Sequence, residues 1–361
     1  MDAPPRVTET SSPAARFARQ LTHIEKANLQ TLRSIRTAGV ATALPLIAWL
    51  AGAPDALIPL GVGAMFVGIT ESNIHPVHRT RIMWWATLWL MASGALGFLV
   101  APNPVLVVIV STLVAAASGW AGVAGPRASL VAVLSLVLFT VTVGLPESVE
   151  LSASFIVYIG LGGFVQTMVF VVTNRARIRR AGAVPEREPS TLWFRVTHPG
   201  TQRDAFIRHA VSVGVAIGVA TAISQFVDVP HEYWIPMTVA WIFKSDHRAT
   251  TTRVVERTLG TIAAIVFAFL WGVYVPAPDG VLFVVVGLGG YILLAFLSSN
   301  YSIATFGVTT YVLALFAIAG DFYEQTVLFR LEATLVAGLI VIVVVLTTHT
   351  RQQDKTRHFH L

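Results

Sequence analysis

The sequence contains no cysteine, and only 12% of its residues are charged. Without cysteine the chain can form no disulfide, no thiolate metal site and no cysteine nucleophile. About a quarter of the residues of a soluble domain are charged, whereas this chain is 55% hydrophobic and has a mean hydropathy of +0.69. The composition therefore indicates an integral membrane protein.

The motifs of common enzyme classes are also absent. The sequence contains no nucleotide-binding P-loop, no zinc-protease motif and no nucleophile elbow of a hydrolase. No pair of carboxylates and no nucleophile with a base recurs in the polar loops. We therefore predict no enzymatic activity, no cofactor and no metal site.

Apolar runs comparable to the roughly 20 residues that cross a bilayer divide the chain. They predict an all-α polytopic membrane protein of about twelve transmembrane helices. The predicted spans are 35–52, 56–70, 83–100, 104–124, 128–145, 152–173, 205–227, 233–244, 256–275, 280–298, 301–319 and 328–347.

The distribution of basic residues predicts the orientation. If both termini are cytoplasmic, all but one of the 25 Lys and Arg residues fall on the cytoplasmic side, and the exception is Arg330. Cytoplasmic loops of membrane proteins carry such an excess. The pI near 10.0 therefore reflects topology, and no nucleic-acid partner is predicted.

The two halves of the chain resemble each other. Ile58-Pro59 of the first half matches Ile235-Pro236 of the second, at similar places along two six-span units. Because six is even, the two copies are expected to be parallel, related by an axis along the membrane normal. The predicted divisions are a cytoplasmic, amphipathic arm 1–34, membrane unit 35–173, a basic cytoplasmic linker 174–204, membrane unit 205–347 and a cytoplasmic tail 348–361.

One predicted span in each unit is short and contains proline. Matched short, interrupted helices in two repeats are the best sequence indication of a transporter's substrate site. Proline also frees a backbone carbonyl, which must be satisfied by protein, water or substrate. In the second unit this span carries Pro236 and Thr238, and a dense group of charged residues follows it.

Residues 232–261 resemble the fusaric acid resistance and aromatic acid exporter family. The segment has an aromatic pair and a proline before a short helix, then a polar turn with a threonine, then an arginine shortly before Leu-Gly-Thr. The matching residues are Tyr233, Trp234, Pro236, Thr238, Asp246, Thr250 and Arg257 to Thr261.

The resemblance implies two six-helix units and export of aromatic carboxylic acids or similar amphipathic anions. The plant aluminium-activated malate transporters look distantly related, which leaves a channel mechanism open. Larger relatives carry a soluble cytoplasmic domain after each unit, where this sequence has only the linker and the tail.

Charged residues of the second unit have two interpretations each. Arg253 and Arg257 share a helix face and either bind an anion at a cytoplasmic mouth or only mark the cytoplasmic side. Lys244 and Asp246 either neutralise each other at a helix end or contact substrate. Arg330 and Glu332 either form a structural pair or include a proton-coupling carboxylate. For the structural pair, Arg330→Gln is expected to lower the amount of folded protein.

Tyr233 and Trp234 are interpreted either as part of an interfacial aromatic belt or as a surface on which an aromatic substrate stacks. The predicted function is secondary export of organic anions, driven by the proton gradient, in a bacterial plasma membrane. A passive anion channel and a non-transporting scaffold remain alternatives. The expected partners are a small organic anion and the lipid bilayer, and a homo-oligomer is left open.

Overall fold

The computed structural model is built from helices, and its described residues contain thirteen α-helices, one short 3-10 helix (Ala121–Ala124) and no strand. The described residues are 24, 29–71, 76–145, 148–180, 203–226, 231–244, 246–274, 279–320 and 324–358. Most of the predicted N-terminal arm and residues 181–202 of the predicted linker lie outside them.

Each of the twelve predicted spans corresponds to one helix. The first unit contains α1 (Thr31–Leu50), α2 (Pro54–Ile69), α3 (Pro76–Val100), α4 (Pro104–Trp120), α5 (Pro126–Val143) and α6 (Val149–Thr173). A short helix, α7 (Arg175–Arg180), follows. The second unit contains α8 (Arg203–Ser224), α9 (Trp234–Ile242), α10 (His247–Tyr274), α11 (Asp279–Phe296), α12 (Tyr301–Ile318) and α13 (Glu324–His358).

Nine of the described helices are long and apolar enough to cross a membrane, and α2 is a shorter apolar helix. The all-helical, polytopic membrane fold is therefore confirmed. The number of crossings and the side of the termini stay predictions.

Two helices extend beyond the predicted spans because charged residues continue them. α10 begins at His247 rather than at 256, so Arg248 and Arg253 are helical residues ahead of Arg257. α13 continues to His358, into the segment predicted as a tail. Arginine, lysine and glutamine are good helix formers, but hydropathy does not detect them.

Polar caps and prolines set where several helices begin. The Asn103 side chain accepts hydrogen bonds from the backbone N–H groups of Val105 and Leu106, and Pro104 occupies the first turn of α4. Asn300 caps α12 by accepting from Ile303 N–H at 3.1 Å. Side-chain oxygens at these positions satisfy donors that a helix leaves unpaired.

The same pairs of helices pack in both units. Contacts α1–α2, α2–α6, α3–α5 and α3–α6 of the first unit recur as α8–α9, α9–α13, α10–α12 and α10–α13 of the second. Between the units α4 packs on α8, and in the equivalent place α11 packs on α1. The two short helices also touch, through the rings of Phe66 and Trp241 at 6.4 Å between centroids.

Small residues allow the closest of these contacts. A Cβ atom on Gly162 would lie 2.4 Å from the carbonyl oxygen of Leu60, so α2 and α6 pack backbone against backbone. Gly214 and Gly218, which predict close helix packing by their spacing, lie against Thr112 of α4. The Gln166 side chain of α6 donates a hydrogen bond to Thr37 Oγ1 of α1 at 3.0 Å.

Candidate functional site

The short helix predicted in the second unit is present as α9. Its nine residues rise by about 14 Å, less than half of a ~30 Å hydrocarbon core. His231, three residues before it, has a left-handed φ of 61°, and Phe243, directly after its last residue, has an extended backbone. Pro236 and Thr238 are both buried within it. α9 alone therefore cannot reach both membrane surfaces. Either the polar residues after it cross the remaining thickness, or water enters the membrane to meet its end.

The loop after α9 is fixed by Thr250 and Asp246. Thr250 Oγ1 lies 3.1 Å from the backbone N of Lys244 and 2.8 Å from the carbonyl oxygen of Asp246. The Asp246 carboxylate accepts from Ala249 N–H at 2.8 Å, so it caps α10. Asp246 is exposed, and no salt bridge of the described residues joins it to Lys244.

Lys244 is half-buried in this loop, outside both helices. Burial lowers the pKa of its ammonium group to about 8, and the positive charge of Arg253 contributes to the same change. The charge of Lys244 therefore depends on pH close to neutrality, which an exposed lysine does not show.

Arg253 and Arg257 lie one helical turn apart on α10 but have different surroundings. The Arg253 guanidinium stacks on the ring of Tyr301, with Cζ 3.8 Å from the centroid. Arg257 is only 2% exposed, and its Nε has no hydrogen-bond partner in the protein. Arg257 is thus a deeply placed cation, whereas Arg253 lies nearer the N-terminal end of α10.

Arg330 lies beside Arg257, although the two residues are on different helices. Arg330 of α13 is 3% exposed, and Arg257 is near enough for the two positive charges to repel. Cζ of Arg330 lies 4.9 Å from the ring centroid of Trp234, the first residue of α9. The packing of α9, α10 and α13 therefore joins two guanidinium groups and an aromatic surface.

No described carboxylate forms a salt bridge with either arginine of this pair. The salt bridges between described residues all involve Glu71 of the first unit. Burying an unpaired charge costs several kcal/mol or more. An anion placed between the two guanidinium groups would lower this cost.

Trp234 is the centre of an aromatic cluster. It is 1% exposed and stacks on Phe329 and on the His231 ring, with centroid distances of 6.4 Å and 4.7 Å. Phe316 meets it edge-on. Tyr233 is also buried, and its hydroxyl lies 3.2 Å from His231 Nδ1. Both predicted aromatic residues thus lie inside the helix bundle rather than on its lipid-facing surface.

Hydroxyl groups of the same helices add hydrogen-bonding capacity. Several are buried without a hydrogen-bond partner in the protein, which is unusual for buried polar groups. The buried hydroxyl groups without a partner in α9, α10, α12 and α13 are those of Thr238, Thr261, Tyr301, Thr305, Thr309, Thr310 and Thr326.

Glu332 is exposed on α13, and no described salt bridge joins it to Arg330. The structure therefore brings Arg257, Arg330, Trp234 and Tyr233 together and leaves Glu332 outside this group. The one sequence signal for Arg330 was its exception to the charge distribution, and Tyr301 had no such signal.

Comparison with known proteins supports the resemblance. Residues 213–344 match the family model described as fusaric acid resistance protein-like. Inner membrane protein YccS of Escherichia coli (strain K12) is 31% identical over 137 residues, 37% of this chain and 19% of the relative. Protein slr1298 of Synechocystis is 24% identical over 175 residues, 47% of this chain and 22% of the relative.

The chain thus matches only about a fifth of the length of these relatives. No solved structure matches the chain. The family match contains the whole 232–261 motif together with Arg257 and Arg330. The resemblance to the fusaric acid resistance protein-like family is therefore confirmed over the second membrane unit.

Proposed function

We propose that the protein exports organic anions and that Arg257 and Arg330 bind the carboxylate of the substrate. The observation that carries this proposal is the burial of both guanidinium groups, at 2% and 3% exposure, without a described carboxylate partner. Ionisable residues inside a membrane are costly and face the bundle interior or a substrate pathway. A carboxylate between the two groups relieves their repulsion and accepts charge-assisted hydrogen bonds.

The aromatic surroundings support an aromatic or similarly amphipathic anion as substrate. Trp234 and its ring neighbours form a buried apolar surface directly beside the Arg330 guanidinium. A ring attached to a carboxylate has dimensions suited to contact both at once, the ring by stacking and the carboxylate by ion pairing. The unpartnered hydroxyls of Thr238 and Tyr301 add donors for ring substituents.

We further propose that export is secondary and driven by the proton gradient, in the inner membrane of a bacterium with the basic helix ends in the cytoplasm. The printed name of the relative YccS describes an inner membrane protein. Glu332 is the candidate proton-coupling carboxylate, with Arg330 two residues away. Efflux that continues down an imposed substrate gradient, after a protonophore has collapsed the proton gradient, favours the passive channel instead.

Arg257→Lys tests the carboxylate site. Lysine keeps the charge but loses the planar fork that binds a carboxylate through two hydrogen bonds. We expect efflux of a weak aromatic acid to fall about tenfold or more, with unchanged membrane insertion. The matched control is Arg127→Lys, at an exposed arginine near the start of α5. Normal efflux by the Arg257→Lys variant would mean that Arg257 only marks the cytoplasmic side of the membrane, which contradicts the proposal.

A further inference from the structure

A second group of arginines lines a cavity in the first unit, away from the proposed substrate site. The cavity has a volume of about 620 Å³ and lies where the start of α1, the end of α2, the start of α3 and the end of α6 meet. Its charged lining residues are Arg33, Arg36, Arg79, Arg177 and Glu71. These five side chains give the lining an excess of positive charge.

Glu71 organises this group. Its side chain is 2% exposed, and both Arg36 and Arg79 donate to its carboxylate, Arg79 at 3.1 Å. Arg33 lies 3.8 Å from the same carboxylate and donates to the carbonyl oxygens of Gly68 and Ile69 at the end of α2. One carboxylate thus positions three guanidinium groups.

The positions of these guanidinium groups are fixed from a second side. Arg36 and Arg79 both lie over the ring of Phe170, at 5.3 Å and 5.5 Å from its centroid. Arg36 keeps a buried Nε without a hydrogen-bond partner in the protein. Arg177 completes the lining from α7 as an exposed side chain. The donors are therefore pre-organised, which lowers the entropy cost of binding an anion.

We propose that this cavity binds a phosphate group, carried either by an anionic lipid headgroup or by a soluble phosphorylated compound. A phosphate group has more acceptor oxygens than a carboxylate, so it can accept hydrogen bonds from several arginines at once. The cavity lies at the helix ends predicted to be cytoplasmic, and basic pockets between helices on that side bind lipid phosphates. This site is independent of the proposed substrate site.

The test compares two arginines of the same short helix. Arg177 lines the cavity, whereas Arg179 is exposed and is not part of the lining. Arg177→Gln is expected to weaken binding about fivefold, the effect of one basic side chain near a lipid surface, while Arg179→Gln leaves binding unchanged. Neither residue takes part in a described salt bridge, so both variants are expected to fold.

The two sources of phosphate are tested separately with the full-length chain in neutral detergent. One arm titrates inorganic phosphate and follows the thermal unfolding temperature. The other adds phosphatidylglycerol and counts bound lipid by native mass spectrometry, with diacylglycerol as the uncharged control. A response in the lipid arm alone assigns a lipid headgroup, and a response to inorganic phosphate alone assigns a soluble compound.

The proposal is overturned if neither arm gives binding, or if the two arginine variants bind equally well.

Discussion

Replacing Arg330 by glutamine separates a binding role from a structural one. Arg330 is buried beside Arg257 and lies over Trp234 at 4.9 Å. The change removes a cation–π contact of about 2 kcal/mol. It also removes the repulsion between the positive charges of Arg330 and Arg257, which is a few kcal/mol at most for neighbouring unit charges at an effective dielectric constant near 20. Relief of the desolvation cost of a buried charge favours the variant further.

We therefore expect Arg330→Gln to fold with a stability equal to or above that of the wild type. Binding of an aromatic carboxylate should fall roughly tenfold to a hundredfold, since a charge-assisted hydrogen bond is worth about 1.5–3 kcal/mol. The assays are thermal unfolding in detergent, with and without the acid, and efflux from cells, with Arg127→Gln as control. Loss of folded protein with an unchanged response to the acid would refute this reasoning and restore the structural role that the sequence suggested.

Two further predictions concern packing and pH. Gly307→Ala should lower the free energy of unfolding by about 1–3 kcal/mol, because the added Cβ would lie 2.4 Å from the backbone N of Leu293. Thermal unfolding measures the change. The control is Gly280→Ala, where no atom lies within 4 Å of the added Cβ. Lys244 is charged below its pKa of about 8 and neutral above it, so anion affinity should fall as the pH rises through 8. Lys244→Arg should remove this pH dependence, and a fall that persists in the variant contradicts the assignment to Lys244.

The fold could be predicted from the sequence because each membrane helix is specified by its own apolar run. An apolar run of sufficient length can satisfy its backbone only as a helix in lipid, and each of the twelve runs is one helix in the structure. The helix ends were harder to predict where charged residues continue a helix, as at His247 of α10 and His358 of α13. There the backbone hydrogen bonds extend beyond the apolar pattern.

The candidate site could be predicted from the sequence only in part. The short helix α9, Pro236 and Arg257 lie within one continuous motif, so their proximity follows from the sequence. Arg330 is far from that motif along the chain and approaches it only because α13 packs on both α9 and α10. The role of Glu71 had no signal in the sequence, since three arginines from two other helices must converge before its burial becomes favourable.

The two units use the same helix packing but different charge arrangements. In the first unit, Glu71 is an internal carboxylate for the arginines at the helix ends. In the second, Arg257 and Arg330 have no such partner among the described residues and lie deeper in the bundle. Two units with the same helix packing can differ in this way, because one can hold an internal ion cluster while the other holds the proposed anion site.

Cysteine labelling of α9 distinguishes a carrier from a channel on this scaffold. Arg257 and Arg330 are closed off from solvent in the structure, and Ala240 of α9 is 4% exposed, whereas Ala249 at the start of α10 is exposed. A carrier opens this region only transiently, but a channel must hold a continuous aqueous path. The chain has no native cysteine, so Ala240→Cys and Ala249→Cys can be compared without background.

For a carrier, we expect a membrane-impermeant thiol reagent applied to inverted vesicles to label Ala249→Cys at least about tenfold faster than Ala240→Cys, since labelling of a buried position reports the population of the open state. A bound aromatic acid should slow the labelling of Ala240→Cys further, by occupying the region beside Trp234, and leave Ala249→Cys unaffected. Equal labelling rates at the two positions mean that water reaches α9 permanently. That result contradicts alternating access and favours the passive channel.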